Sequence, residues 1–255
     1  MYNPDNFKMY GAVALITGAG AGIGRAIAET FAAAGAKVAV SDLHKENAEN
    51  VAQAINDNGG DAIALKCDIT NADDLEKVVQ DTIAAFGELT TLVNNAGGGG
   101  PKPFDMPMKD MHWAFELNVF SVFRLCQLVA PHMEKAGGGA ILTITSMAGE
   151  NKNKRMASYA SSKAAANHLT RNIAFDLGDK NIRVNAIAPG ATKTDALNSV
   201  LTPEIEKEML RETPIKRLGE TEDMANAALF LCAPASRWVS GQILTISGGG
   251  SQELA

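Results

Sequence analysis

The stretch Val13–Asp42, VALITGAGAGIGRAIAETFAAAGAKVAVSD, decides the fold. It opens on an apolar run, Val13–Thr17, short enough for a buried strand, and passes directly into the glycine cluster Thr17–Gly24. The Ala-rich segment Gly22–Ala34 reads as a helix ending at Gly35, and Lys37–Ser41 as a second strand closed by Asp42. Strand, glycines, helix, strand and acid in that order make a dinucleotide-binding unit. The glycines permit a tight turn and close backbone approach, and the helix N-terminus offers amide donors to a pyrophosphate. Asp42 can accept hydrogen bonds from both ribose hydroxyls of the adenosine half, while its charge repels a 2′-phosphate. No Arg or Lys precedes Arg25 in the loop and Leu43 follows the acid, so the pattern favours NAD over NADP. The same carboxylate can instead cap the helix near Lys45.

Outward from this unit the alternation continues to the C-terminus. Helices are expected at Lys45–Asn58, Ala72–Phe86, Lys109–Glu134, Ser158–Leu177 and Thr221–Leu231, and strands at Ala62–Lys66, Thr91–Val93, Ala140–Ile144, Ile182–Ile187 and Ile243–Ile246. The expectation is an α/β fold: a single Rossmann-type domain over residues 1–255, with a doubly wound parallel seven-stranded sheet and helices on both faces. The exception is Pro189–Pro214, too long for a plain connection and carrying a polar helical piece, Pro203–Arg211. It reads as a small substrate lid over about residues 190–214. Asp68 follows the third strand and could meet an adenine or cap the helix beginning near Ala72.

Composition narrows the function. Lys+Arg 23 against Asp+Glu 29 gives a net charge of −6 without blocks of like charge, which disfavours nucleic acid and anionic membrane as partners. Cys67, Cys126 and Cys232 are an odd, scattered set of 3 and read as reduced residues of a cytoplasmic protein. No signal-like segment opens the chain, no stretch is read as a membrane span, and the histidines lack metal-ligand spacing.

The second informative stretch is Ser146–Lys163, SMAGENKNKRMASYASSK. Tyr159 and Lys163 share a helix face, and an ammonium near a phenol stabilises the phenolate. At roughly 4 Å and an effective dielectric of about 20 the attraction is on the order of 4 kcal/mol, or about three pKa units before desolvation opposes it. Such a phenol exchanges a proton with an alcohol, and Ser146 could hold the same oxygen from the other side.

Taken together, Thr17–Gly24, Asn94–Gly97 (NNAG), Asn118, Ser146, Tyr159–Lys163 and Pro189–Gly190 resemble the motifs of the short-chain dehydrogenase/reductase family over essentially the whole chain. The resemblance implies that Tyr159 takes the substrate hydroxyl proton, Ser146 positions the hydroxyl, Lys163 lowers the Tyr pKa and holds the nicotinamide ribose, and Asn118 holds a water leading to solvent. It places Gly18, Gly22, Ile23, Gly24, Asp42, Leu43, Asp68, Ile69, Asn95, Gly97, Thr192 and Thr194, with Tyr159 and Lys163, against NAD, and Gly99, Ser146, Asn151 and Tyr159 against the substrate. Within the family, Gly97–Met108, Ile144–Ala166, Pro189–Glu206 and Ser240–Gly250 resemble bacterial hydroxysteroid dehydrogenases. That implies NAD-dependent oxidation of the 7α-hydroxyl of bile acids to a 7-ketone, in a homotetramer built through helices such as Lys109–Glu134 and Ser158–Leu177. Phe104, Met106, Met147 and Leu197 are expected walls of the steroid slot. The alternatives are a reductase of 3-oxoacyl or other small ketones, and a non-catalytic NAD-binding protein.

Overall fold

A computed structural model describes residues 3–152, 154–211 and 213–250, apart from the side chain of Ala196. The strands are β1 (Val13–Thr17), β2 (Lys37–Asp42), β3 (Asp61–Lys66), β4 (Thr91–Asn94), β5 (Gly139–Ile144), β6 (Ile182–Pro189) and β7 (Ile243–Ile246). They form one sheet in the order β3-β2-β1-β4-β5-β6-β7, every neighbouring pair parallel. The helices are α1 (Gly22–Ala33), α2 (Lys45–Asp57), α3 (Ala72–Phe86), α4 (Met108–Phe115), α5 (Ser121–Lys135), α6 (Ala157–Asp176), α7 (Asp195–Asn198), α8 (Pro203–Arg211) and α9 (Thr221–Cys232).

Each face of the sheet carries its own apolar layer. Ala14, Ile16, Val38 and Val40 pack under α1, α2 and α9, while Val13, Leu15, Leu92 and Ile141 pack under α3, α5 and α6. All of β1 is buried, which is why its sequence is continuously apolar and not alternating. Cys67, Cys126 and Cys232 are free and buried.

Strand order reverses between β1 and β4, so the loops after these strands diverge and leave a crevice at their C-terminal ends. The glycine cluster and Asn94–Gly97 flank that crevice.

Two expectations need correction. The helix expected to run unbroken through Lys109–Glu134 contains a π-helical turn, Glu116–Phe120, between α4 and α5. Its span Met108–Lys135 is also long and apolar enough to cross a membrane by length and composition. In the fold its apolar stripe, Leu125, Val129 and Met133 among others, is part of the layer under the sheet. The segment expected to form a lid contains α7 as well as the expected α8, and α8 buries none of its described residues. Its base is fastened by Lys193 N–H to the Gly219 carbonyl at 2.8 Å, Gly219 N–H to the Ala191 carbonyl at 2.9 Å, and a 3.0 Å Lys193–Glu220 ion pair.

Candidate active site

The glycine loop is shaped by close approach. A Cβ on Gly24 would lie 2.3 Å from the Gly18 carbonyl oxygen and 2.4 Å from Asn95 Nδ2. Gly24 thus seats α1 against the loop and does not face the cleft. Asn95 donates from Nδ2 to the carbonyls of Thr17 (2.9 Å) and Gly18 (2.8 Å), which binds the NNAG turn to the glycine turn.

Asp42 does more than its sequence position indicates. Its Oδ2 accepts from Gly20 N–H at 3.0 Å and its Oδ1 from His44 N–H at 2.9 Å, so it braces both the glycine turn and the entry to α2. The residue at the α2 N-cap is His44, not Asp42. A carboxylate has about four acceptor sites, so each oxygen keeps one for a ligand. Asp68 likewise does not cap α3, because Asn71 does, accepting from Asp73 N–H and Asp74 N–H. Asp68 Oδ1 accepts instead from the N–H (2.9 Å) and hydroxyl (2.7 Å) of Thr70, bonds that hold its carboxyl below the usual carboxylate range.

Two cavities flank the NNAG turn. One, about 260 Å³, is lined by Gly18, Asp42, Leu43, Asp68, Ile69 and Asn95, with Gly97 also on its wall. The other, about 380 Å³, is lined by Ile23, Ser146, Tyr159, Lys163, Thr192 and Thr194 and again by Asn95 and Gly97. Most of the expected cofactor set is therefore divided between two chambers that share Asn95 and Gly97. Gly22 faces Thr194 across the mouth, where an added Cβ would meet the threonine methyl at 3.4 Å. A glycine cradle at a helix N-terminus, an acid at one end and an acid–base pair at the other fit a dinucleotide.

The catalytic candidates converge from separate elements. Ser146 sits at the end of β5, and its Oγ accepts from Ala148 N–H at 3.1 Å, capping a short 3-10 turn (Met147–Gly149). Tyr159 and Lys163 come from α6. Lys163 Nζ donates to the Ile144 carbonyl at 3.0 Å and lies 5.9 Å from the Tyr159 ring centroid. Asn118 lies inside the π-helical turn. Its Nδ2 shares its hydrogens among the Gly98 carbonyl (2.9 Å), the Ala114 carbonyl (2.9 Å) and Ser162 Oγ (3.1 Å), while its Oδ1 accepts from Gly98 N–H at 3.1 Å. A side-chain amide entering the backbone ladder accounts for the widened turn. The side chain is almost fully engaged by protein, so the expected water-holding role is narrowed to one remaining lone pair on Oδ1. A Cβ on Gly97 would lie 2.8 Å from that oxygen and 3.0 Å from Lys163 Nζ, so only glycine lets both reach this point.

Burial works against the electrostatic expectation for Tyr159. Burial raises its phenol above the ordinary value, and the Ser146 hydroxyl opposes this only in part. Lys163 is itself lowered to about 8 by burial. In a site this enclosed, desolvation penalises both charged forms.

Of the expected substrate contacts, Gly99 has φ +141° and lies so close to the Tyr159 ring that an added Cβ would meet Cδ2 at 2.6 Å. Asn151 follows the Ser146 turn, its backbone N–H bonded to the Met147 carbonyl at 3.1 Å and its Nδ2 buried without a partner among the described residues. Neither Gly99 nor Asn151 lines the larger cavity. The steroid walls are not assembled: Met147 is buried, Phe104 is 98% exposed, and none of Phe104, Met106, Met147 and Leu197 lines that cavity.

Two features escaped the sequence reading. Ser162 Oγ donates to the Tyr159 carbonyl at 2.8 Å and links Asn118 to α6. Asn167, one turn beyond Lys163, donates from Nδ2 to Glu150 Oε1 at 2.7 Å and ties the Ser146 turn to α6. The helical spacing Tyr159, Lys163, Asn167 was the available signal.

A family model described as enoyl-(acyl carrier protein) reductase matches residues 18–251. The 7α-hydroxysteroid dehydrogenase of Escherichia coli K12 is 65% identical over 254 residues, covering 100% of both chains. A 3-oxoacyl-[acyl-carrier-protein] reductase of Staphylococcus epidermidis is 35% identical over 239 residues, 92% of this chain and 97% of that protein. Among solved structures, a 7α-hydroxysteroid dehydrogenase complexed with NADH and 7-oxo glycochenodeoxycholic acid superposes with a TM-score of 0.98 at 65% identity, covering 100% of both chains. A short-chain type dehydrogenase/reductase from Mycobacterium marinum gives 0.91 at 34%, covering 96% of this chain and 97% of that one.

Proposed function

The chain belongs to the short-chain dehydrogenase/reductase family, and from that premise we propose that it oxidises the 7α-hydroxyl of bile acids to the 7-ketone with NAD. The observation that carries this reading is the 65% identity to a 7α-hydroxysteroid dehydrogenase across the full length of both chains, cleft and lid segments included.

NAD, when bound, supplies the hydride acceptor. Gly18, Gly22 and Ile23 would hold its pyrophosphate side, Asp42, Leu43, Asp68 and Ile69 its adenosine end, and Thr192 and Thr194 its nicotinamide end. Tyr159 takes the proton of the substrate hydroxyl. Because burial raises its phenol, it serves as a base only when a positive charge comes close, and Lys163 with the cationic ring of the oxidised cofactor meets that need. Ser146 holds the same oxygen and stabilises the charge that develops on it. Asn118 fixes the Gly98 backbone beside Lys163.

The whole of residues 1–255 acts as one cytoplasmic domain in this reading. It assembles as a homotetramer, an idea supported by the aromatic residues exposed on the expected contact helices: Trp113 (51%), Phe120 (53%), Phe123 (43%) and Phe175 (91%). Sedimentation of the purified protein tests the assembly.

The test of activity is NAD reduction with cholate, chenodeoxycholate, deoxycholate and a 7β-epimer. Oxidation of the first two at C7 is expected. Deoxycholate, which lacks the 7-hydroxyl, should bind without reacting, and the epimer should be poor because a misplacement of about 1 Å costs on the order of a hundredfold. Equal rates on deoxycholate overturn the regiochemistry. Activity confined to 3-oxoacyl thioesters overturns the substrate class.

A further inference from the structure

The lip of the cleft carries charges that neither the fold nor the hydride chemistry uses. Two loops meet there, joined by Lys102 N–H to the Arg155 carbonyl at 2.6 Å. Lys102 comes three residues after Gly99, whose backbone packs on the Tyr159 ring, and three residues span at most about 10 Å. Arg155 comes four residues before Tyr159 on the chain. The two loops thus meet within a few residues of Tyr159 on the chain, and each carries cations.

Arg155 has φ 61°, a left-handed conformation that residues other than Gly, Asn and Asp seldom adopt. Lys154 and Arg155 are exposed, and neither enters an ion pair among the described residues. Lys102 is shared with Asp110 at 3.3 Å, and Asp105 is the other carboxylate on this lip. Glu150, at the start of the second loop, is already held by Asn167. Phe104, two residues after Lys102 on the same loop, is 98% exposed. An uncovered aromatic ring beside a net positive cluster is unusual on a chain whose total charge is −6.

We propose that this lip is the subsite for the anionic side chain of an amphipathic substrate, with Phe104 against the apolar skeleton and Lys154, Arg155 and Lys102 receiving the carboxylate or sulfonate. The proposal rests on the reading of the chain as a bile-acid dehydrogenase and adds a preference for acids over neutral steroids. The cations are solvent-exposed, so they act on encounter and KM and leave the reacting atoms alone, and salt screens them.

The test compares initial rates on cholate, taurocholate and neutral cholate methyl ester, for the wild type, Arg155→Asn, Lys154→Gln and the double variant. Asn is chosen because it tolerates the left-handed backbone. At an ionic strength of about 0.01 M, where charges act over roughly 30 Å, KM for the two acids should rise about two- to fivefold per cation removed with kcat unchanged. The difference should shrink at about 0.15 M, and KM for the ester should not move. Equal shifts for acid and ester, or no shift for either, overturn the subsite and leave the dehydrogenase reading standing. A wild type inactive on all three compounds removes both.

Discussion

The floor and the lip of the cleft lie a few residues apart on the chain and are built in different ways. On the floor, Ser146, Asn118 and Lys163 are at most 8% exposed and each is hydrogen-bonded, Asn118 and Lys163 to other elements and Ser146 within its own turn. On the lip, Phe104 is 98% exposed, Lys154 and Arg155 face water, and a backbone bond from Lys102 N–H to the Arg155 carbonyl joins the two loops. A change on the floor removes a buried partner and costs its full desolvation. A change on the lip removes only what a bound substrate would feel. Chemistry can therefore stay constant while substrate choice varies.

The sharpest way to break this contrast is at Tyr159. Tyr159→Phe keeps the ring that packs on Gly99 and removes the proton acceptor. kcat should fall on the order of a hundredfold or more while NAD binding, followed by fluorescence titration, persists. Near-normal kcat would remove Tyr159 from the mechanism.

Gly24→Ala probes the floor's packing. Its Cβ would sit 2.3 Å from the Gly18 carbonyl oxygen and 2.4 Å from Asn95 Nδ2. A loss of about 1–3 kcal/mol is expected in denaturant unfolding, with weaker NAD binding because the whole loop must shift.

Asp42→Ala removes two backbone bonds as well as the ribose contact. NAD affinity should drop, discrimination against NADP should narrow, and stability should fall by about 1 kcal/mol. Unchanged stability would mean that the brace on the glycine turn is energetically idle.

Lys163 yields a prediction about pH. Its folded pKa of about 8 lies below the ordinary lysine value of 10.5, so between those values the unfolded chain binds more protons than the native one. Its contribution to stability should therefore rise with pH across that window, being least favourable below about 8. Tyr159, raised in the fold, acts oppositely only above its ordinary value near 10. Lys163→Met should flatten the rise between pH 8 and 10 in thermal melts, and an identical slope in wild type and variant would contradict the burial argument.

The smallest effect belongs to the lip. Phe104→Ser should leave unfolding free energy within about 0.5 kcal/mol and alter only KM for steroid substrates. A larger destabilisation would show that Phe104 has packing partners after all.

The sequence by itself determined the architecture, because strand, turn and helix follow from short-range patterns: apolar runs, glycine stops and alternation. It also placed Ser146, Tyr159 and Lys163 in one constellation, since a helix puts residues four apart on one face. Tertiary structure alone decided how these groups are held. Asn118 sits in a π-helical turn because its amide reaches Gly98 and Ser162, the second of them 44 positions away. Asp42 braces the glycine loop because Gly20 folds back onto it from 22 positions away. The phenol of Tyr159 is raised, against the expectation from its neighbouring lysine, because burial is the sum of everything packed around it. Periodicity is written in neighbouring residues, whereas desolvation and long-range hydrogen bonding exist only once distant segments have met.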